Sequence, residues 1–73
     1  MKIVDTGTFG NVIRERRKKL NSTQAFLSEY SGLSVSFISD LENGKSSCEI
    51  GKSLYLMNLL GIDCIASDRG ENQ

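Results

Sequence analysis

The side chains with chemistry to offer in this 73-residue chain are few: a basic run over 14–19, a set of hydroxyls at Ser34, Ser36 and Ser39, and two cysteines, Cys48 and Cys64. There is no histidine, so the usual imidazole base of a hydrolytic triad is missing. Two cysteines sixteen positions apart and no histidine make no zinc set, so neither a metal nor a cofactor is expected. With no nucleophile–base pair visible, an enzyme is the weakest reading. What remains is binding chemistry, in which cations meet phosphates and hydroxyls meet base edges. Nine basic and nine acidic residues give a formal net charge of zero, which argues at first against a polyanionic partner. The distribution reverses that argument: residues 14–19 carry +4, residues 46–73 carry −2, and the remainder carries −2. The neutrality is a cancellation between a basic segment and an acidic remainder. It does not exclude a polyanionic partner, and it predicts only weak non-specific attraction to one.

Those groups need a scaffold, and the helical period supplies one. The length allows one domain, over 1–66, followed by a polar tail, 67–73. Phe9, Ile13, Arg16/Arg17 and Leu20 recur at helical spacing with Val12 beside them, predicting a helix over 6–20 capped by Asp5 or Thr6. Gly7 and Gly10 weaken its first turn, and Asn21 suits a left-handed stop. Thr23 precedes a second helix over 24–31 with Leu27 and Tyr30 inward. Gly32 supplies the positive φ of a tight turn. Ser34 caps a third helix over 35–43 with Ile38 and Leu41 inward, and Gly44 ends it. A fourth helix over 48–60, capped by Ser47, carries the stripe Ile50, Leu54, Met57, Leu60 and stops at Gly61. Leu56 and Leu59 lie beside that stripe, making this helix more apolar than one side of a small core requires. Alternation over 62–66 predicts a short strand, and Lys2–Val4 is its possible partner.

The opening MKIVDTG has no apolar core long enough for a signal peptide, and no window approaches a membrane span. The cysteines therefore read as reduced thiols, and the expected location is the cytoplasm, at the nucleoid. So short a chain buries only about 60% of its unfolded surface, so oligomerisation is an expected source of stability.

Two short helices joined by a glycine turn, over 24–43, make a helix-turn-helix unit. The stretch IRERRKK (13–19) followed by TQAFLSEYSGLSVSFISDLENGK (23–45) resembles the Cro/repressor-type helix-turn-helix family, also called the xenobiotic-response-element family. The resemblance covers about 9–61 and rests on linked elements: Thr23-Gln24, Leu27, Gly32-Leu33-Ser34, Ile38-Ser39 and Leu41 to Lys45. Glu49-Ile50-Gly51-Lys52, then Leu54, Met57, Leu60-Gly61 and a short strand, is similar to HipB-type antitoxins, the DNA-binding partners of HipA-like kinases. The implied fold class is all-α: a four-to-five-helix, lambda-repressor-like domain with short terminal β-strands pairing in a dimer. The implied function is transcriptional repression on a pseudo-palindromic double-stranded DNA operator, by a homodimer, in an autoregulated antitoxin operon with a HipA-like kinase. The sequence departs from the pattern at Ser22, usually apolar, at Ser46, often proline, and at Val35 and Ser36, where relatives often carry Arg or Gln.

The resemblance implies roles residue by residue. Ser34, Val35, Ser36 and Ser39 would meet base edges, with Val35 against a thymine methyl; the serines can equally be caps or solvated. Gln24, Asn43, Lys45, Arg14 and Lys18 would contact phosphates, Gln24 with help from its helix N-terminus. Arg17 and Glu42 match a structural pair joining the first and third helices. Tyr55, Leu56, Leu59, Ile62, Cys64 and Ile65 would form a dimer or partner seam, the plain alternative for the helical part being a greasy surface. Phe26, at a position usually polar, is a partner contact or a partly exposed ring, and Phe37 packs near the fourth helix or the seam. A phage-type repressor without a toxin, or an interaction module that has lost DNA binding, stay open as alternatives.

Overall fold

Helices form where a capping side chain and an apolar stripe coincide. The computed structural model describes residues 2–70, and its elements are α1 (Thr6–Lys19), α2 (Gln24–Ser31), α3 (Val35–Glu42) and α4 (Ile50–Leu59). Asp5, not Thr6, caps α1 in a capping box with Thr8. The Thr8 amide, donating at 2.8 Å, holds the exposed Asp5 carboxyl below its ordinary range. Thr23 and Ser34 cap α2 and α3 by accepting from the amides of Phe26 and Phe37. Asn21 takes the left-handed conformation at φ 56°. At the fourth helix the cap is Glu49, which accepts from the amides of Gly51 and Lys52, so α4 starts later than a Ser47 cap predicts. A carboxylate reaching two amides at a helix start outcompetes a hydroxyl upstream.

The core is Ile13, Leu27, Ile38, Leu41, Leu56, Met57 and Leu60, with Phe9, Val12, Leu33, Phe37, Cys48 and Ile62 against it. Four inward assignments fail. Tyr30 is 65% exposed and stacks on the exposed Phe26, while Ser31 turns inward in its place. Leu20 is half exposed because it is the C-cap, where α1 has already ended. On α4 the buried residues are Ser53, Leu56 and Met57 with Leu60 following, whereas Ile50 and Leu54 face outward. The buried stripe is rotated by roughly 60° from the expected one, with Met57 and Leu60 common to both. Its first member is a serine made tolerable by donating to the Glu49 carbonyl at 2.8 Å. Leu56, expected at a seam, is fully buried and has no surface to offer one.

No strand occurs among the described residues: 2–4 and 62–68 are irregular. They line a groove of about 1150 Å³ with Val12 and Met57 at its base. A strand that forms by pairing with another chain has no ladder partner within one chain. Of the expected polar tail, 67–70 are exposed and 71–73 lie outside the described residues. No helix among the described residues is long and apolar enough to cross a membrane.

α3 packs on both α1 and α2. The α1 contact depends on Gly10, where an added Cβ would lie 2.1 Å from the Leu41 carbonyl oxygen and 2.8 Å from that of Glu42. A mid-helix glycine normally costs about 1 kcal/mol relative to alanine, so its use here reflects backbone proximity. Gly10→Ala is expected to destabilise by about 2 kcal/mol or more through overpacking against backbone that has no room to yield. Gly7→Ala, whose Cβ would meet only the Asp5 carboxylate at 3.5 Å, should leave stability unchanged or raise it by up to about 1 kcal/mol. Urea unfolding of the two variants checks the opposite signs.

Candidate nucleic-acid interface

The helix-turn-helix turn is built from hydroxyls. Gly32 adopts φ 81°, a conformation that glycine enters without strain. The Ser31 hydroxyl accepts from the Leu33 amide at 3.1 Å, and the Ser28 hydroxyl donates to the Leu33 carbonyl at 2.6 Å. From α4, the Tyr55 hydroxyl donates to the Ser31 carbonyl at 2.9 Å. Side chains thus meet the Leu33 amide, the Leu33 carbonyl and the Ser31 carbonyl, which holds the turn and the start of α3. Sequence reading found Gly32 and missed Ser28 and Ser31; a serine pair flanking a turn glycine was the available signal.

The far end of α3 is fixed by charge. Arg17 Nε and Nη2 donate to Glu42 Oε2 and Oε1 at 2.6 and 2.9 Å, a bidentate pair in which both side chains are nearly inaccessible. Arg17 Nη1 donates to the Ser22 carbonyl at 2.7 Å, and Gln24 Nε2 donates to Glu42 Oε1 at 3.0 Å. The turn at Ser22, where the family pattern has an apolar residue, is held by this guanidinium. Burial works against the Glu42 charge, but the Arg17 bonds, with those from Gln24 and the nearby Arg14 charge, outweigh it and hold the carboxyl below its ordinary value. The same partner raises Arg17. No buried side-chain polar atom is unpartnered among the described residues.

Between these two anchors, α3 turns Ile38, Leu41 and Glu42 inward. Val35, at 44% exposure, and Ser36 face solvent; Ser39 is half buried and Asn43 exposed. Ser36, Ser39 and Asn43 share the outer face with the half-buried Asp40, and Val35 lies at its edge. Ser34 is exposed too, its oxygen taken by the cap and its O–H still able to donate. Asn43 is the α3 C-cap, with its side-chain amide only loosely against Ser39 at 3.5 Å. Gln24 stands half buried at the start of α2, one N–H committed to Glu42. Arg14 and Lys18 are exposed on the α1 turns flanking Arg17. Lys45 is exposed and paired with Asp40 at 3.3 Å. The structure thus brings Gln24, Arg14 and Asn43 around Glu42, beside the α3 face.

The expected seam residues lie elsewhere. Leu59 and Ile62 are half buried, and Tyr55, Cys64 and Ile65 exposed. Arg16, read only as part of the basic run, donates from Nε to the Leu60 carbonyl at 2.8 Å and closes the end of α4. Phe37 is half buried, with the Lys52 ammonium 5.9 Å above its ring.

This arrangement is a helix-turn-helix whose second helix presents a polar face. The chain matches the helix-turn-helix family over residues 13–63 and belongs to it, in its Cro/repressor-type branch. It is 41% identical over 59 residues to an uncharacterised HTH-type transcriptional regulator, y4mF, of Sinorhizobium fredii, covering 78% of each chain. It is, accordingly, a helix-turn-helix transcriptional regulator. Two solved complexes of HipB share its fold. One, of a HipB variant with the 20-mer O2, has a TM-score of 0.84 at 22% identity, covering 94% of this chain and 96% of that one. The other, of HipB with the 20-mer O4, has a TM-score of 0.84 at 20% identity, covering 94% and 97%.

The pH dependence of stability follows from Glu42. Its folded pKa lies below the ordinary 4.5, so as pH falls the unfolded chain takes up the proton first. The contribution is complete above about 4.5 and is lost as pH drops through the folded value. Glu42→Gln should cost about 3 kcal/mol at pH 7, as for one partner of a buried pair, and should flatten the acid limb. Urea midpoints measured against pH check this; parallel curves for the two proteins would contradict it.

Proposed function

We propose that the chain is a sequence-specific repressor that binds double-stranded DNA as a homodimer. The carrying observation is the outer face of α3. It is exposed, mostly polar and held at both ends, and in this reading Gln24, Asn43, Arg14 and Lys18 would take phosphates beside it. Ser34, Val35, Ser36 and Ser39 would read base edges. The hydroxyls bond donors and acceptors alike, and Val35 would meet a thymine methyl. With no Arg or Gln at 35 and 36, discrimination there leans on methyl contacts and DNA shape. Two such helices would enter successive major grooves about 34–36 Å apart on a pseudo-palindromic operator.

Dimerisation is supported by the groove between the terminal segments, where Val4 is 70% and Ile65 83% exposed. In this reading Ile62, Cys64 and Ile65 pair with a second copy, and Tyr55 and Leu59 extend the seam. Likeness to HipB carries the reading further, to an antitoxin that represses its own operon and binds a HipA-like kinase. The exposed Phe26–Tyr30 stack favours a protein partner in addition to DNA.

Binding to duplexes from the gene's own promoter tests the core of the proposal. The expected result is a specific complex whose log affinity falls linearly with log salt, at a modest slope. Asn43→Ala should weaken it about ten-fold without loss of fold, as for a hydrogen bond to a charged group. Replacing operator thymine by uracil should weaken it as well. Binding that is only sequence-independent would overturn the reading. A kinase-like frame beside the gene, whose toxicity co-expression relieves, is the expected result for the antitoxin role.

A further inference from the structure

α3 carries two acids, and their fates differ. Glu42 is buried against Arg17. Asp40 keeps 43% of its side-chain exposure. At about 100° per residue, Ser36 and Asn43 lie opposite the buried side of α3, with Ser39 and Asp40 on the two flanks. Asp40 is therefore the one acid on the outer face of α3, between the hydroxyl of Ser36 a turn before it and Asn43 three residues on.

A carboxylate so placed cannot be indifferent to a nucleic acid. It accepts hydrogen bonds and donates none, and it is repelled by phosphates and by acceptor-bearing base edges. In the major groove, guanine shows two acceptors, and thymine an acceptor and a methyl. Adenine shows a donor beside an acceptor, and cytosine shows only its N4 amine. The edge that satisfies Asp40 without bringing a second acceptor against it is cytosine. The neighbouring hydroxyls of Ser36 and Ser39 rotate to suit either kind of group and set no such condition.

Two contacts make Asp40 usable rather than merely repulsive. Lys45 Nζ lies 3.3 Å from Asp40 Oδ2, and the Lys45 amide donates to the Asp40 carbonyl at 3.0 Å. The ammonium offsets the carboxylate's charge on the side of Oδ2 and leaves Oδ1 as the acceptor. The backbone bond ties the loop bearing Lys45 to the turn bearing Asp40, so the pair moves as one unit.

We propose that Asp40, charge-balanced by Lys45, is a specificity-determining residue that accepts from the N4 amine of a cytosine in each half-site and excludes the other bases there. This rests on the DNA-reading function proposed above.

Selection from a pool of randomised duplexes, with the full chain and with Asp40→Asn and Asp40→Ala, tests it. Asp40 has no buried contact, and circular dichroism confirms that each variant is folded. The wild type is expected to enrich sites with a C·G pair at one fixed place in each half. Competition against the other pairs at that place should show about ten-fold discrimination. Asp40→Ala should lose the preference there and keep it elsewhere. Asp40→Asn, whose amide both donates and accepts, should shift it towards adenine. If all three proteins enrich the same base at every position, the role of Asp40 is overturned while the DNA-reading function stands. If the wild type enriches nothing, both are overturned.

Discussion

A guanidinium nearly sealed inside a 73-residue protein has few tolerable arrangements, and Arg17 occupies one of them. Both Glu42 oxygens, the Ser22 carbonyl and the Gln24 amide converge on a single charge pair. Breaking such a pair from one side leaves an uncompensated ion in low dielectric, which costs more than the pair contributes when intact. The three elements it joins (the end of α1, the start of α2 and the end of α3) are therefore committed to one relative placement. Gly10 allows α1 to come close enough for this to happen, and the Ser28–Ser31 turn sets the opposite end of α3. The reading face inherits its position from these internal constraints.

The proposed mode of recognition follows from what that face lacks. Its side chains are short, apart from those of Asn43 and Asp40, so contact requires close approach of the whole helix to the groove. Close approach tolerates little misplacement, which suits a helix pinned at both ends. Zero net charge removes much of the non-directional attraction that would otherwise hold a badly fitted helix on DNA. Of the basic residues of α1, Arg16 and Arg17 are turned to structural work, which leaves Arg14 and Lys18 for the proposed phosphate contacts.

Most of the fold was legible because its signals were local. Thr23, Ser34, Asn21 and Gly32 do at their own positions what their chemistry favours, and α2 spans the predicted residues. What escaped depends on neighbours distant in sequence. A helix apolar over more than half its girth does not announce which side faces the core, and Ser53, buried by virtue of a bond to its own helix, disguised the true stripe of α4. Gly10 read as a weak helix former because only the Leu41 carbonyl, from another element, reveals its purpose. Arg16 was one cation in a row until the end of α4 came beside it. The strand over 62–66 was inferred from alternation, but a ladder needs a paired edge, and Lys2–Val4 does not form one with it. At the candidate site the inward residues of α3, Ile38 and Leu41, were readable from period, whereas the ties of Gln24 to Glu42 and Lys45 to Asp40 belong to three-dimensional proximity.

The Arg16–Leu60 hydrogen bond ties α1 to the end of α4. The segment from Ile62 onward leaves α4 at the carbonyl that Arg16 holds, and the Ile62 amide is itself bonded back to Met57. Whatever grips that segment is thereby coupled to α1 through a stiff joint in place of slack chain. From α1 the path continues through Arg17 and Glu42 to α3. In the proposed dimer, the way that segment is held would therefore bear on the angle at which the two α3 helices are presented.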